Sequence, residues 1–244
     1  MKWTEAVVIH LQEWGESDLI VEAFTRRWGR VKAVAKGAKR SRRRFMNKLE
    51  PFRHLRVLLD GEGKGLMRLD QADIIYPFFH ISDELIKILQ GFYLLELVQM
   101  MTPLRDPNPG ILDLLIGSLR AVEEGRMREE GFRAYEMRLL ELAGYRPRLR
   151  ECLRCGGGLQ GKVWFLLERG GVVCRDCYRG EEKAVPVSAS TCASLEGLLE
   201  VGWQKVSFPG EVMSESRRLL SSFIEYQGGR GIRALEVMKE MGIS

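Results

Sequence analysis

A chain of 244 residues, 45% hydrophobic and 29% charged, has the composition of an ordinary globular protein and is long enough for two cores. Its net charge of +5 conceals an asymmetry, since residues 1–80 hold sixteen basic and ten acidic side chains and residues 81–244 hold twenty-two and twenty-three. Met1 to Ile9 lacks the pattern of a secretory signal, and the apolar stretch Leu85 to Met101 is interrupted by Lys87, Gln90, Glu96 and Gln99. Those features argue against export and against a membrane span, so a cytoplasmic location is expected.

The first eighty residues read as β structure. Val7, Ile9 and Leu11 alternate with their neighbours, Leu19 to Thr25 is a second extended run, and Val31, Ala33 and Ala35 form a third. Leu55, Val57 and Leu59 give a fourth, and Leu66 to Tyr76 a fifth. Gly-containing turns fall at Trp14-Gly15-Glu16, at Trp28-Gly29-Arg30 and across residues 61–65. The last of these is expected to be a hairpin turn, because it lies between two strands and no P-loop lysine follows it. Five short strands with a basic surface predict a small closed barrel of the OB type over residues 1–80.

Between Arg26 and Lys48 there are eleven basic residues and no Asp or Glu: Arg26, Arg27, Arg30, Lys32, Lys36, Lys39, Arg40, Arg42, Arg43, Arg44 and Lys48. A polyanion relieves such repulsion, and counterion release from its phosphates drives the binding. These eleven are therefore the candidate nucleic-acid contacts, set against the ordinary role of a solvated charged face. Trp28, Phe45 and Phe52 interleave or follow the run and are candidates to stack on bases, with burial in the barrel core as the commoner fate.

From Ser82 the apolar period becomes helical, and an α-helical region over 81–244 is predicted. Leu85, Ile88, Leu89, Phe92 and Leu95 share one face, with Ser82 read as the N-cap. Asn108-Pro109 opens a second helix that stops by Gly125, and a third carries Phe132, Tyr135, Leu139 and Leu142 to Gly144. Weaker helices are read at Leu195 to Val201, Glu211 to Tyr226 and Ala234 to Met241. Arg126, Arg128, Arg133, Arg138, Arg217 and Arg218 lie on these helices and are candidates to edge a groove for an acidic peptide.

The most specific motif is Cys152-Leu153-Arg154-Cys155 followed, after eighteen residues, by Cys174-Arg175-Asp176-Cys177. Two Cys-x-x-Cys knuckles at this spacing predict a zinc ribbon over about 149–181, with Cys152, Cys155, Cys174 and Cys177 as ligands to one structural zinc. Four thiolates leave no position for water, so the site is not expected to be catalytic. Arg150, Arg154 and Arg175 flank the thiolates and could offset their charge, while Cys192 reads as a packed small hydrophobe. His10, His54 and His80 are scattered, and no nucleophile elbow, zincin helix or Walker motif occurs, which favours a binding protein over an enzyme. An RNA-binding protein with the same barrel and ribbon is the alternative from the residues alone.

Three stretches together resemble the bacterial RecO family of recombination mediators. They are Trp14-Gly15-Glu16-Ser17-Asp18 with Phe24-Thr25 and Ala35-Lys36-Gly37-Ala38-Lys39-Arg40; Leu139 to Pro147 running into Cys152-Leu153-Arg154-Cys155-Gly156; and Gly170 to Cys177. The resemblance covers nearly the whole chain and is weakest over the last forty residues. It implies an N-terminal OB-fold, a helical domain with an inserted zinc ribbon, and binding to single- and double-stranded DNA. It also implies strand annealing and help in loading recombinase. The implied partners are the ring-forming RecR protein and the C-terminal tail of single-stranded-DNA-binding protein.

Overall fold

The computed structural model describes residues 1–61, 65–180 and 183–242. Two compact units are present, Met1–Arg126 with Arg233–Ser244, and Met127–Ile232.

The first unit is built on a closed five-stranded barrel in the order β1-β2-β3-β5-β4, with β4 pairing back to β1. The strands are β1 (Lys2–Trp14), β2 (Asp18–Thr25), β3 (Gly29–Ala35), β4 (His54–Asp60) and β5 (Met67–Tyr76). All neighbouring pairs are antiparallel except β3 and β5, which meet in parallel at Ala33↔Met67 and Val34↔Arg68. Alternation decides what lies inside: Ala6, Val8, Val21, Ala23, Val31, Ala33, Leu55, Val57 and Leu69 line one core. The predicted strands and the OB-like architecture are thus present. The central residues of the expected 61–65 hairpin turn lie outside the described residues.

Gly29 has φ +63°, and a Cβ there would collide with the Asp106 carbonyl, so the β2–β3 turn requires glycine for both conformation and space. Past β3 the chain enters a 3-10 turn, Ala38–Arg40, and an irregular segment whose Phe45 and Leu49 plug the barrel core.

Three helices complete this unit: α1 (Leu85–Met101), α2 (Pro109–Glu123) and α6 (Arg233–Glu240). Pro109 occupies the first turn of α2, and Gly125 at φ +66° follows its end, as its sequence predicts. Ser82 is not the N-cap of α1. Phe79–Asp83 instead forms a 3-10 turn, with the His80 N–H donating to Glu123 and Ile81 buried, and α1 begins only after Glu84.

The apolar stripe of α1 also differs from the predicted face. Leu85 and Phe92 are exposed, whereas Leu94, Leu97, Val98 and Met101 are buried, because the barrel, α2 and α6 pack around the helix. Gly91 is needed there, since a Cβ would lie 2.8 Å from the Phe52 ring. The N-terminus of α6 is held by Glu96 of α1, which accepts from the N–H groups of Arg233 (3.1 Å) and Ala234 (2.9 Å).

The second unit contains α3 (Glu129–Leu142), a three-stranded sheet, and the helices α4 (Ala189–Val201) and α5 (Gly210–Gly228). The sheet runs β7-β6-β8, formed by β6 (Lys162–Leu166), β7 (Gly171–Val173) and β8 (Ala184–Ser188). Ser188 caps α4 by accepting from the Thr191 N–H, and the Glu215 carboxylate accepts from both hydroxyls. Phe165 on β6 meets Phe223 on α5 edge to face at 4.9 Å, joining sheet to helices. Among the described residues, no helix is long and apolar enough to cross a membrane.

Candidate nucleic-acid interface and metal centre

The basic run does not form one uniform surface. Arg26, half-buried in the β2–β3 turn, bonds Glu5 at 2.5 Å and Asp113 of α2 at 2.6 Å. Arg30 bonds Glu22 at 2.7 Å and the Thr102 carbonyl at 2.9 Å, and Lys32 reaches the same Glu22 at 3.6 Å. Lys48 donates to the Ala72 carbonyl at 2.6 Å, tying the segment after the 3-10 turn to β5. These contacts make Arg26, Arg30 and Lys48 structural tethers as well as positive charges.

Apart from Arg27 in the β2–β3 turn, the remaining charges gather where the chain leaves β3. Asp18 opens this region: its Oδ1 accepts the Gly37 N–H at 2.8 Å, and that bond holds the carboxyl below the usual aspartate range. The Lys39 N–H donates to the Ser17 carbonyl at 3.0 Å. Lys39 also pairs with Glu13 at 3.0 Å and Arg40 with Glu16 at 3.6 Å, so the β1–β2 hairpin tip is fastened to the 3-10 turn. Arg44 donates to the Lys36 carbonyl and lies over the Phe45 ring. Arg27, Lys36, Arg42 and Arg43 are exposed and make no ion pair with an acidic side chain among the described residues. A concave pocket of about 630 Å³ opens here, lined by Leu19, Lys39, Arg40, Arg42, Phe45 and Met46 among others.

The predicted stacking aromatics are not exposed on this surface, and Phe45 only floors the pocket. Phe45 is a plug of the barrel core, Phe52 is buried against Phe92 at 4.9 Å, and Trp28 is half-buried against the core with Arg27 over its ring. Phe45 is buried because the plug segment fills the barrel end, and Phe52 because α1 packs over it. Trp14 is an exposed aromatic on the basic unit that its sequence marks only by its place beside a turn glycine at the end of an alternating strand.

The four cysteines form the second site. The donor atoms of Cys152, Cys155, Cys174 and Cys177 all lie within 4.8 Å of one another, close to the spacing around one tetrahedral ion. The first knuckle turns through Gly156, at φ +69°, with the Gly156 N–H bonding the Cys152 carbonyl. In the second, the N–H groups of Cys177 and Tyr178 bond the Cys174 carbonyl. The Cys174 N–H points at Cys152 Sγ from 3.4 Å, which orients that sulfur toward the cluster. Trp164 stacks on Tyr178 at 4.6 Å beneath the knuckles, and Leu153 sits over Gly171, where a Cβ would clash.

Arg154 donates to the Cys177 carbonyl, joining the two knuckles, whereas Arg150 is drawn away from the thiolates by Glu196 at 2.9 Å and Glu200 at 2.7 Å. The arrangement suits a metal that holds the ribbon together, and burial of Cys192 in the helical core keeps it apart from the cluster.

The chain has relatives among known proteins over most of its length. Residues 1–78 match the model described as "Recombination protein O N terminal", and residues 82–236 match "Recombination protein O C terminal". The chain belongs to the RecO family. It is 34% identical to the DNA repair protein RecO of Syntrophus aciditrophicus, over 98% of this chain and 95% of that one. It is 31% identical to the same-named protein of Myxococcus xanthus (98% and 97%) and 32% identical to that of Symbiobacterium thermophilum (96% and 95%). The family match extends to residue 236, into α6, although the last forty residues carry the weakest motif resemblance. The helical arginines that the sequence offers as a groove edge each have a partner in the structure. Arg133 is buried against Glu136, Arg138 pairs with Glu141, Arg217 with Glu129 at 2.8 Å, and Arg218 donates to the Pro186 carbonyl. Arg126 pairs with Glu124, and Arg128 donates to the Trp203 and Val206 carbonyls. Only Arg133 is buried by its contact; the pairs of Arg126 and Arg217 stay exposed to solvent.

Proposed function

We propose that this chain is a DNA repair and recombination mediator that binds single- and double-stranded DNA through its barrel and anneals complementary strands. The observation that carries this reading is the group of exposed cations Lys36, Arg42 and Arg43, without an ion pair among the described residues, beside the concave rim of the barrel in a chain of the RecO family. Two strands repel each other as polyanions. A surface that neutralises phosphates lowers that repulsion, leaves base edges free to pair and requires no covalent step.

The reading extends to loading recombinase on strands coated by single-stranded-DNA-binding protein, with RecR and the C-terminal tail of that coating protein as partners. Family membership supports these partners. The expected location is the cytoplasm, at the nucleoid. Cys152, Cys155, Cys174 and Cys177 would hold one zinc, which would supply cross-linking to a segment with a core of only a few side chains.

The test is annealing of complementary strands coated with single-stranded-DNA-binding protein, with and without this chain. Acceleration by the chain is the expected result. Binding competition with matched RNA would give preference to the RNA strand if the protein instead serves RNA.

A further inference from the structure

The chain has five tryptophans, and four are engaged. Trp3 lies under Arg56, Trp28 under Arg27, Trp164 is stacked on Tyr178, and Trp203 packs against Gly131. Trp14 is 53% exposed, the highest among the tryptophans and large aromatics left open except Phe79 at 55%, and no ring or cation contact to it is present among the described residues.

Its position is fixed by the ladder. Trp14 pairs with Asp18 as the last rung of β1 and β2, and Asp18 in turn holds the Gly37 N–H. Leu11 packs against the barrel core and Glu13 reaches Lys39, so alternation turns Trp14 to the outer face of the same hairpin tip. The Leu19↔Ala35 pairing puts Lys36 beside Asp18 in the next strand, about 10 Å across two strand spacings from Trp14. Trp14 and Lys36 thus share the outer face at the end of three adjacent strands, whereas the Glu13–Lys39 pair lies on the opposite side of the hairpin tip.

We propose that Trp14 is a stacking platform for an unpaired base of single-stranded DNA whose phosphates lie on the neighbouring cations. A lone exposed tryptophan is common on protein surfaces. Its location at the tip of the β1–β2 hairpin of an OB-type barrel, on the same face as Lys36, distinguishes this one, because such hairpin tips and aromatic faces meet single strands. A duplex keeps its bases stacked inside and offers the indole nothing, so Trp14 gives preference for unpaired strands where the cations give none. The inference rests on the DNA-binding reading above.

Fluorescence anisotropy with a labelled single strand, the same strand carrying abasic sites, and a blunt duplex tests it on the full chain. Trp14→Ala is expected to bind the single strand roughly tenfold more weakly, with duplex affinity within about twofold of the parent, and Trp14→Phe to recover most of the loss. The parent should bind the abasic strand more weakly than the normal one, and Trp14→Ala should bind the two alike. Equal losses on single strand and duplex in a variant of unchanged melting temperature, or no loss on either, would overturn the assignment of Trp14 while leaving the DNA reading intact. A parent protein that binds neither strand would overturn the DNA reading, and this inference with it.

Discussion

Arg26 and Asp113 meet at 2.6 Å, so the first residue of the basic run is a bolt between the β2–β3 turn and α2. Both guanidinium edges are used, since Nε lies 2.5 Å from Glu5. Asp113→Asn should lower stability by about 0.5 kcal/mol, the usual worth of an exposed pair. Arg26→Ala should cost more, because Glu5 also loses its partner. Neither change should alter the slope of DNA affinity against salt by as much as removal of an exposed cation. Urea unfolding and salt titrations on the same variants check both parts, and a large slope change in Arg26→Ala would return that residue to the DNA surface.

Arg42 and Arg43 provide the complementary case. They are exposed and hold no acidic partner among the described residues, so Ala at both positions should leave the melting temperature nearly unchanged. If each contacts one phosphate, the log–log salt slope on single strands should shrink by roughly 0.7 per residue, about equally for all sequences. An unchanged slope would place the phosphate track elsewhere on the barrel.

Glu13 and Glu16 bind Lys39 and Arg40 in the same place where phosphates would approach. Glu13→Gln with Glu16→Gln frees both cations and removes two negative charges from the rim. Affinity for single strands at low salt should rise about two- to fivefold, and the gain should fade as salt screens it. A loss of affinity would show that these acids chiefly position the hairpin tip.

The barrel was legible in the sequence because a strand's alternation needs only its own residues: Val31, Ala33 and Ala35 predict their burial without any partner. The thiolate cluster was legible because Cys-x-x-Cys spacing brings each pair together locally. What escaped depended on distant residues. Arg26 and Asp113 are eighty-seven positions apart, and Glu96 caps a helix that begins at Arg233. Neither relationship leaves a local trace, so every basic residue of the run looked equally free. Ser82 has the right residue type for an N-cap, but burial of Ile81 and the Glu123 bond to His80 stabilise a 3-10 turn in its place.

Cys155→Ser should reduce bound metal to well under one equivalent, and it should lower the melting temperature of the unit formed by Met127–Ile232. Replacing the exposed Arg169 and Arg179 with Ala should leave metal content, stability and DNA affinity nearly intact if the ribbon serves structure alone. Elemental analysis of chelator-free protein identifies the metal, with zinc expected. A large affinity loss in a folded Arg169/Arg179 variant would show that the ribbon meets DNA directly.

Glu5, His54 and Arg26 form a small titrating cluster at the base of the barrel, with His54 Nε2 2.7 Å from Glu5 Oε1. Burial pushes the Glu5 carboxyl up, but Arg26 and His54 together bring it below the usual 4.5. Burial lowers His54 from 6.5, with Glu5 opposing that shift. Both groups bind fewer protons in the folded chain than in the unfolded one, so their contribution is fully present at higher pH and declines on acidification. The His54 contribution should decline as pH falls below about 6.5, and the Glu5 contribution below about 4.5. In urea unfolding, the parent midpoint should fall from pH 8 to 5.5, and His54→Gln should flatten that fall. The gap between the parent and Glu5→Gln should close as pH falls below about 4.5 and the carboxyl takes up its proton. Loss of metal at acid pH affects both proteins alike and leaves the gap informative. A parent midpoint that rises from pH 8 to 5.5 would contradict the sign assigned to His54.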